Sequence, residues 1–382
     1  MARVVVVATA GAGGDLPPLA RAAVALRDRG HEVRFVGDGT VDRSLRPLGV
    51  AGTVLPPEVD LGPALIGAIR DAMAETDGDL AAAGPLVQGR MTSWAHDAAE
   101  PVADALREIG PDVVLTSLFG VEVVETVAPA CPWVVVNSTF YVGPDPPRPL
   151  EEDFGSRAIP LIAHYATLLG AADLVLHASD RVFDLGFDGL PERHHYVGPL
   201  GIWEPPSDPP AYLEEPGDPW VLVTISSQLQ DDLPLAQAAL GSLADEPVRV
   251  LLTVGPDHDP DEVAATRNAR IERSVSHAAV LEHGRLLVSH AGHGSVMKAL
   301  WFGRPMVLVP WGRDQPGVAA RAAALGVAEI VSPDEAAAGG IAVAVRRTLS
   351  DRSMAAAAAR HRDRLRATDP PGTAAGLVEG LL

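Results

Sequence analysis

Several scarcities narrow the reading of this chain before any motif is considered. One cysteine, Cys131, excludes an internal disulfide and a thiolate metal cluster. Cations are outnumbered, 30 Lys and Arg against 50 Asp and Glu, for a formal charge of −20. A phosphate backbone or an anionic membrane requires clustered cations, so neither is an expected partner. Only one lysine is present, Lys298. No run approaches the roughly 18 apolar residues of a membrane helix. The opening MARVVVVATA has too short an apolar core for a signal peptide and is needed as a strand, so a soluble, cytoplasmic protein is expected. No helical H-E-x-x-H occurs, and the glycines around His283, His290 and His293 disfavour a rigid metal site, so no metal is expected.

At 382 residues the chain exceeds one ordinary core and fits two domains. The seam is EPPSDPPAYLEEPGDP, residues 204–219, too proline-rich for a helix or a central strand. Each flank begins with a buried-strand run, Val4 to Ala8 and Trp220 to Ile225. Further strands are expected at Glu32 to Val36, Val113 to Thr116, Trp133 to Asn137, Val248 to Val254, Leu286 to Val288 and Met306 to Val309. Residues 57–96 read as helical. The expected division is 1–203, the linker 204–219, 220–360, and a tail helix over 361–382. Two α/β halves joined by a proline linker describe a protein with a cleft.

The segment HAGHGSVMKALWFGRPMVLVPWGRDQ, His290 to Gln315, is the densest in chemistry. Gly292, His293, Gly294 and Ser295 form a turn with little side-chain bulk where a helix begins, leaving backbone N–H groups bare. Such a start offers unpaired donors and the positive end of the macrodipole, a place for a diphosphate, and Ser295 adds a hydroxyl. The helix stops at Gly303 with Pro305 beyond. The next strand delivers Arg313, Asp314 and Gln315 to the carboxyl edge, where Asp314 accepts and Gln315 both donates and accepts, a pair suited to sugar hydroxyls. Positive field for an anionic ligand comes from the helix start, His290, Arg313 and Lys298, although Lys298 reads equally as a solvated lysine. Ser226 and Ser227, at the end of the Trp220 strand, are further phosphate or sugar contacts. Asp231-Asp232 imitates an acidic metal pair but reads as a solvated loop. Without any wider likeness, the same segment is an ordinary β-α-β unit with a polar loop.

Near the N-terminus, Gly11-Ala12-Gly13-Gly14-Asp15-Leu16-Pro17-Pro18 links a strand to a helix that runs to about Arg29. A dinucleotide turn is suggested, with Asp38 imitating the ribose acid, but Leu16 stands where G-x-G-x-x-G needs its last glycine. Asp15 ahead of Pro17 also suits a helix N-cap. The loops after Val113 to Thr116 and Trp133 to Asn137 carry Phe119, Asn137, Ser138, Thr139, Phe140 and Tyr141 to the same edge.

The segment from His290 to Gln315, with Val280-Leu281-Glu282-His283 upstream and Gly14-Asp15-Leu16-Pro17-Pro18 near the start, resembles the bacterial macrolide and antibiotic glycosyltransferases. These use nucleotide sugars and share the GT-B fold of two Rossmann-like domains facing a cleft. The resemblance implies that His290 bonds a donor phosphate, that Gly292, Gly294 and Ser295 cradle the diphosphate, and that Asp314 and Gln315 hold sugar hydroxyls. Asp15 would be the general base. A carboxylate with an ordinary pKa near ~3.9 would take the proton late, as the sugar leaves its phosphate. Phe119, Asn137, Phe140 and Tyr141 would line the acceptor pocket, and the last helix would return to the N-terminal domain. Three positions depart from the pattern: Lys298 replaces a ribose-binding Glu, Ser274 an aromatic residue that stacks on the base, and His277 a Gln. The implied activity is inverting, metal-independent transfer from a UDP- or dTDP-sugar to a small, largely apolar acceptor, with no resident cofactor; a homodimer is compatible with it. An epimerase on the same fold and a silent nucleotide-sugar-binding protein are the rivals.

Overall fold

The structure, a computed structural model, describes residues 1–8, 14–202, 204, 208–227, 230, 232–256 and 258–382. It divides into two compact units, Met1–Trp203 with Asp369–Leu382, and Glu204–Thr368.

In the first unit the described strands are β1 (Arg3–Ala8), β2 (Glu32–Gly37), β3 (Ala51–Val54), β4 (Val113–Ser117), β5 (Trp133–Asn137), β6 (Leu174–His177) and β7 (His194–Tyr196). All are parallel, in the order β3-β2-β1-β4-β5-β6-β7. Helices cover both faces. Val4 and Val6 of β1 point into the core beneath the helix Leu16–Asp28, whereas Val5 and Val7 point into the core beneath the helix Leu80–Ile109. A strand buried on both sides reads as an unbroken apolar run, which is why RVVVVA carries no alternation. The region read as helical over 57–96 comprises the helix Leu61–Glu75 and the helix Leu80–Ile109, which extends well past His96.

The second unit has β8 (Trp220–Thr224), β9 (Arg249–Thr253), β10 (Ala269–Glu272), β11 (Leu286–Ser289), β12 (Met306–Leu308) and β13 (Ala328–Ile330), also parallel, in the order β10-β9-β8-β11-β12-β13. In each sheet the first strand of the unit lies beside a strand reached by reversing the winding direction, β1 beside β4 and β8 beside β11. Such switch points open a crevice at the carboxyl edge, the preferred ligand position of open α/β sheets.

Two expected boundaries move. The segment 204–219 is no free linker, because its described residues pack as part of the second unit. Leu213 is buried, and the Arg249 guanidinium donates to the carbonyls of Asp218 at 2.6 Å and Glu215 at 2.8 Å. The tail over 361–382 is also divided. Residues through Arg366 complete the helix Arg352–Arg366, whose Arg366 Nε donates to the Trp301 carbonyl at 3.0 Å in the second unit. Only the stretch from Asp369 joins the first unit. There the helix Pro370–Glu379 buries Ala374, Ala375 and Val378 in the core under the helix Leu16–Asp28, and Glu379 pairs with Arg29 and His31.

Candidate functional site

Asp15 stands at the start of the helix Leu16–Asp28, at the switch point of the first sheet. It occupies the N-cap position but makes no side-chain cap. Its carboxylate turns instead to the neighbouring loops: Ser138 Oγ donates to Oδ1 at 2.9 Å, Phe119 N makes a long 3.5 Å contact with Oδ2, and Ser117 adds a side-chain hydrogen bond. Asp15 is only 2% exposed. Burial pushes its pKa above the ordinary value, and the three hydrogen bonds only partly offset this. The proximal part of the glycine-rich turn, Gly11 to Gly13, lies outside the described residues. Asp38 is no ribose acid here, since its Oδ1 caps a helix by accepting from Thr40 N at 2.6 Å and Val41 N at 2.8 Å.

Four residues were expected to line an acceptor pocket, and three of them are core. Asn137, Phe140 and Tyr141 have no exposed surface. The β5 loop folds back on itself: Asn137 Nδ2 donates to Phe140 O at 2.8 Å, Tyr141 stacks on Phe187, and its hydroxyl donates to Pro144 O at 2.9 Å. Phe119 alone stays half-buried beside Asp15, with the Tyr165 ring edge-on to it at 6.5 Å. Burial raises the Tyr165 pKa, and the Glu122 and Asp15 carboxylates add to the shift. Ser117 and Tyr165 went unseen in the sequence because they belong to this group only through contacts distant along the chain.

The switch point of the second sheet gathers His290, the helix His293–Phe302 and the loop after β8. Gly292 is the N-cap and has no side chain to cap with, so the first-turn N–H groups face outward. A Cβ on Gly292 would lie 2.5 Å from His290 Nε2, whereas one on Gly294 would meet no protein atom within 4 Å. Glycine at 292 thus lets the imidazole lie across the turn, and at 294 it leaves the helix start open from outside. Ala291, ahead of the turn, holds a left-handed φ of +67°, and Arg313 after β12 one of +57°. The helix ends at Gly303 in a left-handed conformation. Ser295 lies in the first turn, half-buried, and His293, its first residue, is 6% exposed.

Asp232 is 1% exposed and links these loops, in contrast to the solvated loop expected of it. Its Oδ2 accepts Ser226 N at 2.7 Å and Gln230 Nε2 at 3.1 Å. Ser226 N–H is therefore engaged, while Ser227 is exposed. Burial lowers the His290 pKa, with Asp232 and the Thr224 backbone pulling the other way and Arg313 adding to the fall. Gln315 is 2% exposed: Oε1 accepts Trp311 N at 2.8 Å and Gly312 N at 2.9 Å, and Nε2 donates to Gln230 Oε1 at 3.0 Å. It shapes the loop presenting Arg313 and Asp314, so it is not the free sugar-binding amide expected of it. Among the described residues, no group of three His, Cys, Asp or Glu side chains is disposed to hold a metal.

Lys298 contradicts both of its expected roles. Its Nζ pairs with Glu204, which also accepts Ser276 Oγ at 2.6 Å and Ala278 N at 3.3 Å. Burial alone would raise the Glu204 pKa, but the Lys298 ammonium and these hydrogen bonds hold it below the usual range. His277 accompanies the pair, bonded to Thr253 Oγ1 at 3.0 Å; burial, then the Lys298 charge, lowers its pKa to about 4. The carboxylate meeting Lys298 comes from 94 residues away.

Residues 237–381 match the family of erythromycin biosynthesis protein CIII-like C-terminal domains. The chain is 28% identical over 210 residues to demethyllactenocin mycarosyltransferase of Streptomyces fradiae, covering 53% of this chain and 44% of that protein. With 4'-demethylrebeccamycin synthase of Lentzea aerocolonigenes it shares 31% over 221 residues, 57% of this chain and 52% of that one. The matches thus span about half the length of these relatives. Among solved structures, the kitacinnamycin glycotransferase superposes with a TM-score of 0.74 at 20% identity, covering 100% of this chain and 99% of that one. At that identity the likeness is one of fold: two parallel-sheet α/β domains of the GT-B type.

Proposed function

We propose that this chain, whose residues 237–381 match the erythromycin CIII-like family of C-terminal domains, is an inverting glycosyltransferase acting on a small, largely apolar natural-product acceptor. The donor is a UDP- or dTDP-sugar. The observation that carries the reading is the open helix start at Gly292–Ser295, with His290 lying across it, inside the segment that matches the family.

In this reading the diphosphate of the donor takes hydrogen bonds from the first-turn N–H groups, Ser295 and His290, and Asp314 accepts from sugar hydroxyls. The acceptor hydroxyl attacks the anomeric carbon from the face opposite the diphosphate. As the new carbon–oxygen bond forms, the bond to the diphosphate breaks, and the hydroxyl proton passes to Asp15. Charge growing on the leaving group is stabilised by donors already in place, so no reorganisation accompanies the step. Burial makes Asp15 a stronger base than a solvated aspartate, which favours proton capture. The reaction calls on no metal and no resident cofactor.

The test is thermal shift with UDP, dTDP, GDP and NAD, followed by calorimetry and by transfer assays with the sugars of whichever nucleotide binds. Stabilisation by UDP or dTDP, weakened in His290→Ala, and a product of inverted anomeric configuration are expected. Stabilisation by NAD alone, or a product of retained configuration, overturns the reading. Donor consumption without any acceptor would favour an epimerase.

A further inference from the structure

The first unit holds a cavity of about 590 Å³ between the helix Ile159–Ala171 and the edge strand β7, and nothing in the proposed reaction uses it. The helix turns Ala163, Ala166, Thr167 and Gly170 toward it, positions on one face whose small side chains leave space. Tyr165, roughly opposite on the helix, packs against Phe119 beside Asp15, so the helix separates the cavity from the base. The volume is that of an ordinary small-molecule site.

One imidazole, that of His194, lines this space, and its protonation is set from behind. Asn137 is oriented by its bond to Phe140 O, so its Nδ2 donates to His177 Nδ1 at 2.9 Å. Neutral His177 must then carry its hydrogen on Nε2, which donates to His194 Nδ1 at 3.1 Å. Neutral His194 must in turn carry its hydrogen on Nε2, which has no partner among the described residues. Burial keeps both rings neutral, lowering His177 well below its ordinary value and His194 to about 4. His194 is 7% exposed, and it lines the cavity. The ring keeps a little exposed surface, so a ligand oxygen can take the place of water on an N–H that no protein group engages.

We infer that this cavity is a second ligand site, taking a small apolar molecule that carries a hydrogen-bond-accepting oxygen and seats it on His194 Nε2–H. A charged ligand would give up its hydration for one neutral donor. The charges at the rim, Glu192 and Arg193, are of opposite sign and offer no net attraction.

The test uses the full chain and two probes of nearly equal shape, benzophenone and diphenylmethane, of which only the first has a carbonyl. Calorimetry should show benzophenone binding about tenfold tighter, the worth of one buried hydrogen bond. Irradiated benzophenone should attach within residues 163–170 or 191–194. His194→Phe should erase the preference between the probes, and Ala166→Leu, which fills the cavity from a helical position, should weaken both by about tenfold or more. If His194→Phe does not fold, the probe pair and Ala166→Leu still decide. Equal affinity for the two probes, labelling around Phe119 and Tyr165, or unchanged binding by Ala166→Leu would overturn the inference. None of these outcomes depends on nucleotide binding or sugar transfer.

Discussion

The helix Leu16–Asp28 follows β1 and the helix His293–Phe302 follows β11, each at a switch point and neither capped by its own N-cap side chain. At the first, the N-cap residue is an aspartate whose carboxylate turns away from the helix toward Ser138, Ser117 and Phe119. At the second it is a glycine, and the helix end is left bare. A helix dipole favours a nearby carboxylate by about 0.3–1 kcal/mol, which would lower its pKa, yet burial wins and the Asp15 pKa rises. One local architecture thus presents a buried carboxylate in one unit and a bare helix start in the other. What separates them is the single residue at the N-cap and the loops it can reach.

The largest test of that contrast is Asp15→Asn. Sugar transfer should fall by about a thousandfold while the protein stays folded. A carboxyl with a raised native pKa costs stability as pH climbs from the ordinary carboxylate range through the native value, so above that window the variant should melt at a higher temperature than the parent. The gap should close as pH falls below that range. Near-normal turnover would make Asp15 a structural residue and dissolve the comparison.

Next in size is Lys298→Ala, which strands the mostly buried Glu204 carboxylate and should cost about 3 kcal/mol in urea unfolding. Glu204→Ala should cost a similar amount, and the double variant less than the sum by about 1–3 kcal/mol. Strict additivity would show that the two side chains do not act as a pair. Gly294→Ala should weaken nucleoside diphosphate binding by about tenfold with no loss of melting temperature, since its Cβ meets only open space and the helix accepts alanine. Unchanged affinity there would move the anion site away from the helix start. The smallest effect belongs to Ala291→Gly: relief of the left-handed alanine should stabilise by about 0.5 kcal/mol, and a loss instead would show that Ala291 is held there by packing.

Features that depend on neighbouring residues were legible in the sequence. Trp133 to Asn137 forms the strand its apolar run suggested, and the helix after His290 stops at Gly303 because glycine adopts the left-handed turn. The glycine-lined helix start was legible for the same reason. Side-chain partners that meet across the fold were not. Asn137 looked available because its partner His177 lies 40 residues on, and Lys298 looked free because Glu204 lies 94 residues back. The cap that Asp15 also suited is not made, because Ser138, 123 residues away, draws its carboxylate aside. Gln315 was misread for a subtler reason. Its backbone begins a helix, which turns the amide back over the loop it follows.

The return of the helix Pro370–Glu379 to the first unit has a consequence for the order in which the protein is made. The second unit is one continuous stretch, Glu204–Thr368, and can close as soon as it has left the ribosome. The unit begun first waits longer. Until Ala374, Ala375 and Val378 emerge, the groove along the helix Leu16–Asp28 lies open to water, and Arg29 and His31 lack their carboxylate. The unit that carries Asp15 is therefore completed after the unit that carries the bare helix start at Gly292.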